Sequence, residues 1–258
     1  MIRYFISDLH LSDKRPDLIR AFVLMTKELI ARKEKAELYI LGDFYEAWIG
    51  DDFQADWNTN IENALLDVSQ SGITLYFLHG NRDFLIGDAW LTRVGASLIQ
   101  EQTLLPLEKN SVLLTHGDEY CLEDVEYQKF RQTIRSNAWQ TQILALPLEQ
   151  RIALAAQLRN DSKSMASEKS IGIMDVTETA VNDSLNLHHC KTIIHGHTHR
   201  PNIHKTKNTL RCVLGDWDTD VYLASIKENH YSQSKATVEN FNKDGLKSLQ
   251  VFHEETLY

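Results

Sequence analysis

Cysteine is scarce in this chain, with only Cys121, Cys190 and Cys212 among 258 residues and no CxxC pair. An odd total without a CxxC pair argues against a disulfide framework and fits a reducing compartment. Basic residues are also in deficit: 27 Lys and Arg stand against 36 Asp and Glu, a net charge of -9. Such a surface repels a phosphate backbone, so binding nucleic acid through a broad basic face is disfavoured, and only a local basic patch stays open. No apolar run approaches the ~18 residues that a membrane span requires, and the six residues between Met1 and Asp8 leave no room for a signal peptide. The expectation is a cytosolic protein, soluble or peripherally attached. Internal repeats and low-complexity segments are missing too, and nothing points to an obligate protein partner.

What is present is enough for one large domain: 43% of the residues are hydrophobic. Short β-rich runs alternate with helical ones, strands being expected at 2–7, 37–41 and 73–78 and helices at 17–33, 55–69 and 83–94. That alternation predicts an α/β protein. From residue 103 onward strands come closer together, including 111–115, and the last quarter again reads as strands at 191–194, 209–214, 221–226 and 249–253. A second sheet packed on the first accommodates them. The stretch 122–187 reads as a helical insertion, with Phe130, Ile134, Trp139, Ile143, Leu144, Ile152, Leu154 and Leu158 at irregular helical spacing. Within it, 127–164 holds six cations and two anions, a local +4 in an acidic chain.

Five apolar strands end on polar residues of one kind. Asp8-Leu9-His10 follows YFIS, Gly42-Asp43 follows LYIL, Gly80-Asn81-Arg82-Asp83 follows LYFLH, His116-Gly117-Asp118 follows VLLT, and His195-Gly196-His197-Thr198-His199 follows KTII. Taken singly, each reads as an ordinary turn or strand exit. Together they put His, Asp and Asn where open α/β sheets collect ligands, outside the carboxyl ends of the strands. In DxH and HxH, residues two apart in an extended segment project to the same side and can grip one ion together. Imidazole, carboxylate and carboxamide donors without thiolate suit Mn²⁺, Fe²⁺ or Zn²⁺ in an open site, with manganese the first choice. The donors outnumber what one catalytic ion needs, and two ions about 3.5–4 Å apart can clamp both the attacking and the leaving oxygen of a phosphoryl displacement. Within the last string His197 and His199 are the candidate ligands, whereas His195 precedes the glycine and reads as a packing or supporting histidine. His79, His188, His189 and His204 are assigned to structure.

The ordered set DxH, GD, GNR followed by Asp, a lone His and GHxH resembles the signature of the calcineurin-like metallophosphoesterase superfamily. The resemblance implies a two-sheet β-sandwich flanked by helices and a pair of divalent ions. It implies that Asp8, His10, Asp43 and His199 hold one ion and that Asp43, Asn81, His116 and His197 hold the other, Asp43 bridging.

A narrower likeness covers nearly all of 1–217. LYILGDFYEAWIGDD (38–52), YFLHGNRDFLIG (76–87), ALPL (145–148), MDV (174–176) and HGHTHRP (195–201) are similar to the branch that hydrolyses UDP-2,3-diacylglucosamine in lipid A biosynthesis. That branch cleaves the pyrophosphate to UMP and 2,3-diacylglucosamine 1-phosphate, generally with Mn²⁺, at the cytoplasmic face of the inner membrane. The resemblance implies substrate contacts from Asn81, Arg82, Asp124, Ser162, Lys169 and His197, with Arg82 bracing charge at the α phosphorus as a metal-held hydroxide attacks it. The helices of 122–187 become a cap, whose Trp139, Ile143, Leu144 and Leu146 either cover acyl chains or pack on the body. Ala166 stands where that branch carries a polar side chain, leaving one contact to the backbone or lost. The tail 228–258 is longer than the resemblance accounts for and receives no role. Two other readings remain: another dinuclear phosphoesterase acting on nucleotides or phosphoproteins, and a noncatalytic interaction module on a degenerate version of the fold.

Overall fold

Neighbouring residues of the first strand belong to different cores. In β1 (Ile2–Ile6), Tyr4 and Ile6 enter one apolar cluster and Phe5 another. β2 (Ala36–Leu41) repeats this, Leu38 and Ile40 on one side and Tyr39 and Leu41 on the other. That is the period of two for a strand buried on both faces. The computed structural model describes residues 1–168 and 175–257, and of 161–168 the backbone alone.

Helices α1 (Pro16–Ala31) and α2 (Asp56–Gln70) connect β1, β2 and β3 (Thr74–Leu78) as parallel neighbours, and α3 (Asp88–Val94) leads into β4 (Ala96–Leu98). β5 (Thr103–Pro106) and β6 (Ser111–Leu114) open a second sheet. Then come helices α4 (Val125–Ile134), α5 (Asn137–Leu144), α6 (Leu148–Glu168) and α7 (Glu178–Leu187), all before the chain returns as β7 (Thr192–His195), parallel to β6. β8 (Asn202–Lys205) and β9 (Leu210–Val213) complete that sheet. β10 (Asp220–Lys227), β11 (His230–Thr237), α8 (Val238–Asp244) and β12 (Gln250–Thr256) rejoin the first one. The strand orders are β12-β11-β10-β1-β2-β3-β4 and β5-β6-β7-β9-β8.

The expected two-sheet sandwich flanked by helices is the observed fold. Phe5, Tyr39, Leu78 and Tyr231 of the first sheet share one buried cluster with Val112, Leu114, Ile194 and Cys212 of the second. On the outer face of the first sheet, Phe22 and Met25 of α1, Ile61 and Leu65 of α2, Trp90 of α3 and Phe241 of α8 pack over Leu38, Ile40 and Phe77. On the outer face of the second, Val181 and Leu185 of α7 cover Leu113 and Ile193. Among the described residues no helix is long and apolar enough to cross a membrane.

The structure corrects two local expectations. The helix expected at 83–94 starts only at Asp88, because the Asp83 carboxylate accepts the backbone N–H groups of Gly80 (2.8 Å), Phe44 (2.7 Å) and Asp43 (3.3 Å) and holds its residue in the loop. The tail, given no role from sequence, builds the edge of the larger sheet. Glu228 and Asn229, at φ 51° and 62°, make the two-residue turn that pairs Lys227 with His230. Tyr231 of β11 is then fully buried between the sheets.

Candidate metal centre

Because β1, β2 and β3 run parallel in one sheet and β6 and β7 in the other, their carboxyl ends bring five distant loops to one place. The first two loops are laced together: Asp8 N donates to Gly42 O (3.0 Å), His10 N to Asp43 O (3.0 Å) and Leu11 N to Phe44 O (2.9 Å). Two glycines permit the remaining approach. A Cβ on Gly80 would lie 2.2 Å from Asp43 N, and one on Gly196 would lie 2.1 Å from Asp8 Oδ2, so any side chain at either position would push a loop away.

The backbone at these loop ends is not extended. Among the described residues ten non-glycine residues have positive φ, and five of them are Asp8, His10, Asp43, His197 and His199. That conformation is costly for residues with a side chain and gathers where function over-determines the geometry. It also overturns the expectation that residues two apart in DxH and HxH point the same way along an extended segment. Asp8 and His10 do reach one place, but His197 and His199 diverge. His199 Nε2 lies 3.2 Å from His10 Nε2 and 3.4 Å from Asp8 Oδ1, while His197 Nδ1 lies 3.0 Å from Asn81 Oδ1.

Two groups of donors result. Asp8, His10 and His199 form one; Asp8, Asp43 and His116 form the other, with Asn81 Oδ1 3.0 Å from His116 Nε2 and Asp43 Oδ1 3.7 Å from it. The carboxylate shared by the two groups is that of Asp8, whereas the resemblance implies Asp43 as the bridge.

The donor chemistry fits cations. His116 Nδ1 faces the Leu41 carbonyl at 2.9 Å and must donate to it, so Nε2 is the nitrogen that faces the oxygens of Asn81 and Asp43, where a proton or a bound cation has to stand between them. Asp8 Oδ2 is satisfied by Ser7 Oγ (2.6 Å) and His197 N (2.9 Å), but its buried Oδ1 has no hydrogen-bond partner among the described residues. Lone pairs converging on buried space require positive charge there.

Titration behaviour says the same. Burial disfavours charge on His199, yet Asp216 and Asp8 outweigh it and raise its pKa to about 10; for His116, Asp43, Asp8 and Asp118 outweigh burial and raise it to about 9. Burial also opposes ionisation of Asp8, but the His199 imidazole, 3.4 Å from its Oδ1, and the charges of His116 and His10 hold it far below the carboxylate range. His197 goes the other way, to about 4, through burial and then the charge of His116.

The remaining candidates are placed as follows. Arg82 is fastened by its backbone, N donating to Asp43 Oδ1 (2.9 Å) and O accepting from Trp48 N (2.9 Å), and its Nε lies 3.6 Å from Asp43 Oδ2. Asp124 caps α4 through Tyr127 N (3.0 Å), and the Tyr127 ring stacks on His197 with centroids 6.1 Å apart. The Ser162 side chain, the Ala166 side chain and Lys169 lie outside the described residues. His195 is fully buried, Nδ1 on the Gly196 carbonyl at 2.9 Å, and His79 bonds the Ile86 carbonyl at 2.8 Å.

Sequence reasoning passed over Glu46 and Asp216, whose carboxylates lie behind His10 (3.4 Å) and His199 (3.3 Å). It placed Asp118 in the His116-Gly117-Asp118 string without a ligand or substrate role, and in the fold Asp118 accepts from Tyr127 Oη (2.5 Å) and Arg131 Nε (2.8 Å). No motif marks an acidic residue that reaches a ligand only through the tertiary fold.

A neighbouring acid supplies a test of these electrostatics. Burial, then the charges of Asp118 and Glu101, raises the pKa of Glu119 to about 7 from 4.5. Between those values the folded chain keeps a proton that the unfolded chain has lost, so the stability of unfolding falls as pH rises through the window. In urea unfolding of metal-free protein, the advantage of Glu119→Gln over the parent should widen from pH 4.5 to 7 and level off above it. A difference that does not change with pH contradicts this assignment.

Fold and donor set together define a metallophosphoesterase. A model of the calcineurin-like phosphoesterase family matches residues 3–201, and the chain belongs to that family. Among curated proteins it is similar to the UDP-2,3-diacylglucosamine hydrolase of Chromohalobacter salexigens, 46% identical over 221 residues that cover 84% of this chain and 89% of the relative. The protein of that name from Tolumonas auensis is 43% identical over 249 residues, covering 93% and 100%. Among solved structures, GAP50 of Plasmodium, the anchor in the inner membrane complex, shares the fold at a TM-score of 0.51 and 11% identity, covering 100% of this chain and 88% of that one.

Proposed function

We propose that this chain hydrolyses the pyrophosphate of UDP-2,3-diacylglucosamine to UMP and 2,3-diacylglucosamine 1-phosphate, with Asp8, His10, Asp43, Asn81, His116, His197 and His199 holding two divalent ions, Mn²⁺ by preference. The observation that carries the reading is the convergence of these donors from five loops, five of them in the left-handed region, in a chain more than 40% identical to relatives bearing that hydrolase name over most of both lengths. When bound, the ions supply Lewis-acid stabilisation of phosphoryl oxygens and water of lowered pKa. Arg82 presents its guanidinium beside Asp43 to the equatorial oxygens of the α phosphorus. Asn81 and His197 are proposed to hold a phosphate oxygen in place. Asp124, Ser162 and Lys169 are proposed to contact the nucleotide or sugar.

In this reading 1–258 is one domain and 122–187 caps the cleft. Arg135 of the helix C-cap after α4 donates to Gly80 O (3.0 Å) and lies over the Phe84 ring (5.3 Å), so the insertion sits directly on the loop that carries Asn81 and Arg82. Trp139 and Ile143 pack against the main core, while Leu122, Val125, Phe130, Leu144 and Ile152 are exposed. Those exposed side chains offer apolar cover for two acyl chains, which supports peripheral attachment to the cytoplasmic face of the inner membrane; the local +4 does not form a free basic face, because Arg131 and Arg135 pair with Glu101 and Asp118, Arg151 with Asp52 and Arg159 with Glu46.

The test compares UMP release from UDP-2,3-diacylglucosamine, a deacylated analogue and a simple phosphodiester, with and without Mn²⁺. The diacylated substrate should be turned over fastest and only with the metal. Equal rates on the phosphodiester point instead to a phosphoesterase of another specificity. In ¹⁸O-labelled water the label should appear in UMP; finding it in the lipid phosphate refutes attack at the α phosphorus.

A further inference from the structure

The two donor groups are backed differently. His116 rests on a neutral backbone carbonyl, that of Leu41. In the other group both imidazoles face carboxylates, His199 Nδ1 that of Asp216 at 3.3 Å and His10 Nδ1 that of Glu46 at 3.4 Å. A carboxylate behind a ligating imidazole fixes its tautomer and makes it a stronger donor. Among the described residues His10 Nδ1 is buried with no hydrogen-bond partner, and Glu46 Oε2, 3.4 Å away, is the carboxylate placed to take that part.

Glu46 has a second attachment. Its backbone N donates to Leu11 O (3.1 Å), tying it to the loop that carries His10, while its Oε1 pairs with Arg159 of α6 in the helical insertion. Its side chain is 29% exposed, so without Arg159 it is free to turn to water. One carboxylate thus has one oxygen on a helix of the insertion and the other toward an imidazole of the metal centre.

We infer that Glu46 is a positioning residue through which docking of α6 sets the affinity of the Asp8, His10 and His199 group for its divalent cation. The inference rests on the metal reading above and is independent of which phosphoester is cleaved. Its consequence is that the insertion holds an ion in place as well as covering the cleft.

Mn²⁺ titration of metal-stripped, full-length protein tests this without any substrate, using the parent, Glu46→Gln, Arg159→Ala, the double variant and His10→Ala. Glu46→Gln should weaken one binding step about 10- to 100-fold and leave the other step unchanged. Arg159→Ala should weaken the same step by a smaller factor and add nothing to Glu46→Gln in the double variant, since both act through one carboxylate. Parent-like affinity in Glu46→Gln or in Arg159→Ala, or a full additive loss in the double variant, overturns the coupling. His10→Ala separates the two levels: if it loses the step and Glu46→Gln does not, this inference alone fails; if neither changes, the metal reading fails with it.

Discussion

Asp43→Ala should abolish turnover, lowering kcat/KM by at least about 10³-fold, and should remove at least one ion per chain. The size follows from the several kcal/mol of transition-state stabilisation that ions of this kind supply, at about 1.4 kcal/mol for each factor of ten. Asp43 is 2% exposed and stands in the donor group with Asp8 and His116. Its Oδ1 also accepts the Arg82 backbone N–H (2.9 Å), so the same substitution loosens the loop that presents the guanidinium. Asp43→Asn separates these effects, because an amide oxygen can still accept from Arg82 N but brings no charge. It should retain the fold and lose activity nearly as far. Counting the metal decides between arrangements: loss of both ions makes Asp43 the bridge, and loss of one leaves Asp8 as the shared acid. Near-normal turnover in Asp43→Ala with its metal retained contradicts the mechanism.

The strands that place Asp43 and its partners were legible because each is a short apolar run closed by a polar residue, and period-two burial gives the two-sheet arrangement directly. What the sequence conceals is conformation imposed by tertiary closure. Nothing in DLH or HTH signals positive φ at Asp8, His10, His197 and His199, since isolated peptides disfavour it and only the interlocked loops compensate. An extended reading alone therefore sends both histidines of HTH to one ion; the resemblance assigns them to different ions, and the folded chain separates them. The Asp83 loop was read as helix for a related reason: its local pattern continues that of α3, and three backbone N–H groups, two of them some forty residues earlier in the chain, claim its carboxylate. β11 was missed because HYSQSKAT is mostly polar, although Tyr231 and Gln233 are fully buried in the folded sheet. Glu46 and Asp216 are ordinary acids until the fold brings them behind His10 and His199.

Arg82→Ala should lower kcat by about 10²- to 10³-fold, the usual loss when one preorganised donor is withdrawn from developing negative charge. The position isolates the side chain from the scaffold. Backbone bonds to Asp43 and Trp48 hold the loop whatever residue stands there, and the guanidinium, 22% exposed, has a buried Nε with no hydrogen-bond partner among the described residues. A desolvated donor left unpaired in the folded protein is one available to a ligand. Removing it should therefore leave metal content and urea stability close to the parent while kcat falls. Arg82→Lys should recover part of the loss, because it restores a charge but not the planar fork that meets two phosphoryl oxygens at once. The decisive readings are kcat and KM taken separately, together with metal per chain. If metal is lost in proportion to rate, Arg82 acts by holding Asp43 in place, 3.6 Å from its Nε, and the phosphate-bracing role is refuted. If the metal stays and KM changes far less than kcat, the guanidinium acts on charge that develops only as the phosphoanhydride breaks.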